Sequence, residues 1–265
     1  MESIVPEASD DETREDAARR IFGERARFYT TSSVHTDPRV LARVVELTRP
    51  LPTSVALDVA TGTGHTAFAL APQVARVVAT DITPEMLEEG RRLAAERGIT
   101  NVKFQLADAH DHPFADGTFD IVTCRRAAHH FSRLSDALEE MKRLLSPGGR
   151  LVIDDRSVPD HDSVDRLMND LDILHDSSHV RQYRPREWQE MLESHGFSVT
   201  AVEGYTRHRS ITALTRDVDP DDAAEIHRQL EATTPEERQV LDLRHVDGEL
   251  HHLHWFVTVA AEIPV

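Results

Sequence analysis

Three aspartates, two glycines and a pair of histidines are the residues of this chain best suited to chemistry. Asp58, Asp81 and Asp108 each lie in or just after a short apolar run that reads as a buried strand. Gly62 and Gly64 follow Asp58 in the stretch Gly62-Thr-Gly64-His-Thr-Ala67, a match to the glycine fingerprint of dinucleotide sites with Ala in the last place. A strand that breaks into such a turn and then opens a helix brings backbone N–H groups close to a ligand. Asp81 comes at roughly the 20-residue spacing expected of a carboxylate that grips ribose hydroxyls. An accepting carboxylate suits a neutral diol, which disfavours a 2′-phosphorylated ligand. Singly, each aspartate has a plainer reading: Asp81 as the cap of the next helix, Asp108 as a turn residue. Together, at the carboxyl ends of successive strands beside a glycine turn, they mark where open parallel sheets hold ligands.

The elements that must position them alternate along the chain. Strands are predicted at 55–59, 76–80, 101–107, 119–124, 150–154, 197–202 and 251–261. Helices are predicted at 21–29, from Pro38 to Pro50, from Gly64 to Ala71, and at 84–97, 134–145 and 186–195. Asp37-Pro38 and Thr83-Pro84 are helix starts, and Gly98 and Gly196 are helix stops. This pattern predicts an α/β fold: a Rossmann-like, doubly wound sheet with helices on both faces. Residues 1–18, acidic and almost free of large apolar side chains, read as a disordered tail, and 19–265 as one domain. Helices in 19–50 form a lid over the glycine turn. Residues 156–184 and 204–247 are insertions, over the site or at a homodimer contact.

Composition narrows the partners. The 265 residues carry 47 acidic against 30 basic side chains, a formal charge of -17. Nucleic acid and anionic membrane surfaces are polyanions and are disfavoured. Lys103 and Lys142 are the only lysines, which fits either a salt-loaded cytoplasm that screens self-repulsion or a GC-rich genome. Cys124 is the single cysteine and reads as a small buried residue, so no internal disulfide forms and a cytoplasmic location is expected. No apolar stretch is long enough to span a membrane, so no membrane insertion is expected.

Leu57-Asp-Val-Ala-Thr-Gly-Thr-Gly64, Asp81, Ala107-Asp108-Ala109, Pro113-Phe114 with Phe119-Asp120, and Ser146-Pro147-Gly148-Gly149 occur in order. This set resembles the motifs of class I S-adenosylmethionine-dependent methyltransferases, in the branch similar to the quinone-biosynthesis C-methyltransferases. Ile121-Val-Thr-Cys-Arg-Arg-Ala-Ala-His-His-Phe131 resembles a bacterial and archaeal subgroup of that branch. The resemblance spans about residues 20–203. It implies a seven-stranded sheet whose last strand is antiparallel, and S-adenosylmethionine as cofactor with S-adenosylhomocysteine as product. It also implies roles. Asp58 meets the methionine amino group, and Ala60, Thr61, Gly62 and Gly64 wrap the methionine portion. Asp81 holds the ribose, with Ile82 and Met86 against adenine. Asp108 and Ala109 touch the adenine edge, and Arg125 lies near the cofactor or the methyl-transfer side. Ala60 stands where the family has its first motif glycine, a substitution that a negative φ would accommodate.

Methyl transfer to a small-molecule acceptor needs alignment, exclusion of water and, where the acceptor must lose a proton, a base. His129 and His130, after the fourth strand, are candidate bases, as are His35 and Tyr29 in the expected lid. Asp155, His179 and Arg181 are candidate substrate contacts. His251, His252 and His254 are expected on a strand-edge surface. No H-x-E or H-E-x-x-H pattern occurs, and no metal is expected. Two alternatives stay open. One is an NAD-dependent oxidoreductase, which the antiparallel last strand would argue against. The other is a protein that binds S-adenosylmethionine without transferring its methyl group.

Overall fold

The structure, a computed structural model, describes residues 14–32 and 34–264. Five strands run parallel: β1 (Val55–Val59), β2 (Arg76–Asp81), β3 (Val102–Leu106), β4 (Phe119–Arg125) and β5 (Leu145–Ser157). β8 (Glu249–Glu262) inserts antiparallel between β5 and β6 (Ser198–Ser210), so the order is β3-β2-β1-β4-β5-β8-β6. A short β7 (Arg244–Val246) pairs with β8 through the left-handed turn Asp247-Gly248. The sheet thus has eight strands, one more than expected, and the additional one is this three-residue hairpin arm.

Central strands of such a sheet are apolar on both sides because helices cover both faces. On one face Leu57, Val122, Ile153 and Val259 pack with α5 (Leu134–Leu144) and α7 (Pro185–Ser194), through Leu138, Met141, Trp188 and Leu192. On the other, Ala56, Val77, Ala79 and Ile121 meet Phe68 and Leu70 of α3 (His65–Leu70) and Leu87 and Leu93 of α4 (Pro84–Glu96). α2 (Pro38–Thr48) starts where Asp37 accepts the Arg39 N–H at 2.8 Å and Pro38 occupies the first turn. Its Val44 packs on Val152 and Ala260 of the sheet. This helix is therefore part of the sheet's covering layer, and only the segment before it reaches over the glycine turn.

α1 (Arg14–Tyr29) begins before the boundary expected for a disordered tail. Ala17 and Ala18 are buried, and their small side chains gave no apolar signal strong enough to extend the helix. Residues 1–13 of the expected tail lie outside the described residues.

The two insertions share one core. α6 (Asp162–His175), α8 (Ile211–Thr215) and α9 (Pro220–Glu231) bury Val164, Met168, Leu171, Ile211, Leu214, Ile226 and Leu230 with Leu241, which ends α10 (Pro235–Val240). β6 and β8 run on from the sheet into this second core, paired from Ser198↔Glu262 to Ser210↔His251. The continuation corrects the surface expectation for His252 and His254. Both are buried, on the β8 face that turns toward Asp172 of α6, Arg156 of β5 and Arg209 of β6. Among the described residues no helix is long and apolar enough to cross a membrane.

Candidate active site

A cavity opens beyond the carboxyl ends of β1, β2 and β4, under α1. β1 delivers Asp58 to its floor. There the carboxylate accepts the Thr61 hydroxyl at 2.5 Å and the Thr123 hydroxyl at 2.7 Å, and burial holds its pKa above the usual carboxylate value. The chain then turns through Ala60, whose φ is 49°. The negative φ that would accommodate alanine is not met: Ala60 sits in the left-handed region that favours glycine. Gly64, at φ 93°, starts α3. A Cβ there would lie 2.9 Å from the Phe68 ring and 3.0 Å from Phe104, which is why this corner takes no side chain. Gly64 shapes the turn from behind and does not line the cavity.

Asp81 joins two elements. Its carboxylate accepts the Gly62 N–H at 2.8 Å and the Thr83 N–H at 2.9 Å, so it both braces the glycine turn and caps the start of α4. Burial again raises its pKa. Ile82 and Met86 lie beside it, with Ala107, Asp108 and Ala109 further along. Asp108 accepts the backbone N–H of His110 at 2.9 Å and its Nδ1–H at 2.6 Å. The opposite nitrogen, His110 Nε2, is buried on the cavity wall with no protein partner among the described residues, as is Thr63 Oγ1. Polar atoms in that state call for a ligand's hydrogen bonds.

Arg125 ends β4. It donates to Thr66 Oγ1 at 2.9 Å and to the His35 carbonyl at 2.8 Å, with no carboxylate paired to it among the described residues. Burial lowers its pKa. Tyr29 and His35 also line the cavity. Burial, with Asp176 nearby, raises the Tyr29 pKa. Burial, with Arg125 and Arg126 nearby, pushes His35 well below the ordinary imidazole value.

The adjacent histidines part company. His130 lines the cavity; His129 does not. His129 is buried behind it, donating its backbone N–H to Asp155 at 2.9 Å and its Nδ1–H at 2.6 Å, and burial pushes its pKa well down. Asp155 is fully buried under His129 and cannot meet a substrate in this conformation. His179 lies outside the cavity wall, its ring 5.7 Å from that of His129. Arg181 does not line the cavity and pairs with Glu187 at 2.9 Å, while the N–H groups of Val180 and Arg181 donate to the His129 carbonyl. Among the lining residues that sequence reasoning missed are Phe22, His65, Thr66, His110 and Phe131. His65 and Thr66 lie inside the glycine fingerprint and Phe131 ends the stretch after β4, whereas Phe22 and His110 belong to no motif and reach the cavity only through the packing of α1 and the loops. Among the described residues no group of three His, Cys, Asp or Glu side chains could hold a metal ion.

Residues 52–196 match the methyltransferase domain family. The chain belongs to that family. This methyltransferase is 37% identical over 182 residues to the uncharacterized methyltransferase YcgJ of Bacillus subtilis, covering 69% of this chain and 72% of the relative. The crystal structure of YcgJ superposes with a TM-score of 0.80 at 28% identity, over 85% of this chain and 98% of that one. A demethylmenaquinone methyltransferase of Thermus thermophilus is 42% identical over 123 residues, 46% of this chain and 56% of the relative. The methyltransferase is S-adenosylmethionine-dependent and related to the quinone C-methyltransferases. Its antiparallel β8 and this kinship set aside the oxidoreductase alternative.

Proposed function

We propose that this methyltransferase methylates a small-molecule acceptor that gives up a proton, inside the cavity under α1. One observation carries the reading: the same enclosed space is lined by Asp58, Asp81 and Asp108 with the glycine turn, and by Tyr29, His35 and His130. When bound, S-adenosylmethionine supplies an electrophilic methyl group on a sulfonium. The residues fit its chemistry. Buried Asp58 is a counter-charge for the amino group, and Arg125, without an acidic partner, is one for the carboxylate. Asp81 retains lone pairs for a ribose diol. Asp108 and the unpartnered His110 Nε2 can accept from the adenine amino group. Ala60 to Gly62 would follow the methionine portion, and Ile82, Met86 and Ala109 the base.

The protein's own contribution is to orient, to exclude water and to take a proton. α1 closes the cavity with Phe22 and Tyr29. Raised in pKa, Tyr29 suits a hydrogen-bond donor better than a base. His35 is kept neutral by burial, with its Nδ1 on Ser32 and its backbone carbonyl accepting from Arg125, and we assign the role of base to the cavity-facing His130. His129 and Asp155 form the wall behind it. The formal charge of -17 favours a small acceptor over nucleic acid.

Calorimetric titration with S-adenosylmethionine, S-adenosylhomocysteine and NADH tests the cofactor, at low and at multimolar potassium chloride. Micromolar binding of the first two and none of NADH is expected. Transfer of a labelled methyl group to a panel of phenols, quinols, amines and carboxylic acids then tests the acceptor class. Tight binding with no transfer to any of them would leave a binding protein and overturn this reading.

A further inference from the structure

His130 is tethered on the side away from the cavity. Its Nδ1 lies 3.0 Å from Ser178 Oγ, in the segment that follows α6. Ser178 Oγ in turn donates to Asp176 Oδ1 at 2.6 Å, and the Ser178 N–H reaches the same oxygen at 3.0 Å. Among the described residues His130 Nε2 has no protein partner. The Phe22 ring meets the imidazole edge-on at a centroid distance of 4.9 Å.

The hydrogen count along this chain fixes a tautomer. Burial alone would raise the Asp176 pKa, but His130 and the hydrogen bonds from Ser178 hold it at about 2, so the carboxylate only accepts at neutral pH. Ser178 has one hydroxyl hydrogen and spends it on Asp176. What remains toward His130 is a lone pair, so Nδ1 must carry the proton. Nε2 is then left with its lone pair, on the ring edge away from Ser178.

We propose that Asp176 and Ser178 are positioning residues that hold His130 as the Nδ1–H tautomer, so that Nε2 takes the proton of the methyl acceptor. The acceptor is then a hydroxyl, amine or enolisable carbon rather than a group that is already an anion. Its X–H bond breaks and the proton goes to Nε2. The electron pair left on X forms the new bond to the methyl carbon, and the pair of the broken C–S bond stays on sulfur. The resulting imidazolium keeps its Nδ1–H on Ser178 and lies near the Asp176 charge. His129 has a similar hydrogen bond to Asp155 but no access to the cavity. The assignment rests on the methyl-transfer reading above.

Long-range 15N–1H spectra of histidine-labelled protein, at mildly alkaline pH with S-adenosylhomocysteine present, read the tautomer directly; His130→Gln identifies the signal. The expected wild-type pattern is Nδ1–H. Ser178→Ala and Asp176→Ala should each lose it. In the second, the freed hydroxyl turns its hydrogen to Nδ1. Ser178→Thr and Asp176→Asn should retain it, since a hydroxyl and an accepting oxygen remain. Nε2–H in the wild type, or Nδ1–H persisting in both alanine variants, would overturn the proposal. Calorimetry with S-adenosylhomocysteine on the same samples separates the two readings. The expected tautomers without any binding would remove the methyl-transfer reading, and with it the role of Nε2 as base.

Discussion

The carboxylate of Asp81, at the end of β2, accepts the backbone N–H of Gly62 in the turn after β1 at 2.8 Å. The group assigned to the ribose is thus also the brace of the loop assigned to the methionine portion. Asp81→Ala should weaken S-adenosylmethionine and S-adenosylhomocysteine binding by about 2 kcal/mol or more, through the lost ligand contact and a loosened turn. Asp81→Asn keeps one accepting oxygen and should fall between. Calorimetric affinities equal to wild type in a folded Asp81→Ala protein would remove the ribose assignment.

Ala60 holds a left-handed φ of 49°. A non-glycine residue there costs about 1–2 kcal/mol, while glycine gives back part of that gain as unfolded-state entropy. Ala60→Gly is therefore expected to raise unfolding stability by up to about 1 kcal/mol in urea titrations. A clear loss of stability would contradict the left-handed backbone.

His130 and His129 should separate cleanly by mutation. His130→Ala removes a cavity side chain and should leave cofactor affinity nearly intact while turnover falls. His129→Ala leaves the buried Asp155 carboxylate without its imidazole partner and should cost on the order of 3 kcal/mol in stability. Equal thermal stabilities for the two variants would refute that division.

A second buried pair predicts a loss of stability. Arg126 lies 3.1 Å from Asp154 Oδ1 and stacks 3.7 Å above the Phe256 ring. Asp154 also accepts the Tyr205 and Thr258 hydroxyls, each at 2.8 Å. Asp154→Ala strands the arginine charge and should destabilise by about 3–5 kcal/mol, whereas Tyr205→Phe should cost about 1 kcal/mol. Chemical denaturation of both variants checks the contrast.

Stability should fall on acidification before the carboxylates titrate. Burial lowers His175, His179 and His252 from 6.5 to about 4. Their folded pKa values lie below the unfolded ones, so the unfolded chain binds more protons between these limits. The contribution is complete above about pH 6.5 and is lost toward pH 4, on the order of 1–3 kcal/mol for each group. Melting temperatures measured from neutral pH to about pH 5 should drop, and less steeply in His252→Gln. An unchanged slope in that variant would exclude His252 as a contributor.

The positions of the central strands and the strand-end aspartates were legible because each central strand is an apolar run punctuated by Gly, Pro or Asp. Those signals act locally. The extension of β6 beyond Val202 was not legible, because Gly204, Arg207, His208 and Arg209 give no apolar pattern. His252 and His254 read as surface because an imidazole looks polar in sequence. Only the placement of β8 between β5 and β6, under α6, buries them. The cavity's carboxylates announced themselves by motif, whereas His110 and Phe22 arrive through tertiary packing. Asp155 and Arg181 were assigned by nearness in sequence to the right strand end. Asp155 is instead buried against His129, and Arg181 pairs with Glu187.

Because β6 and β8 stay paired from the main sheet into the second core, that core cannot swing against the sheet without breaking backbone hydrogen bonds. α1 belongs to no strand ladder. Its ties include the His65 ring to the Tyr29 carbonyl at 3.0 Å and Arg25 to the Asp217 carbonyl at 3.4 Å. α1 is therefore the part of the cavity's cover that can shift without breaking a strand ladder.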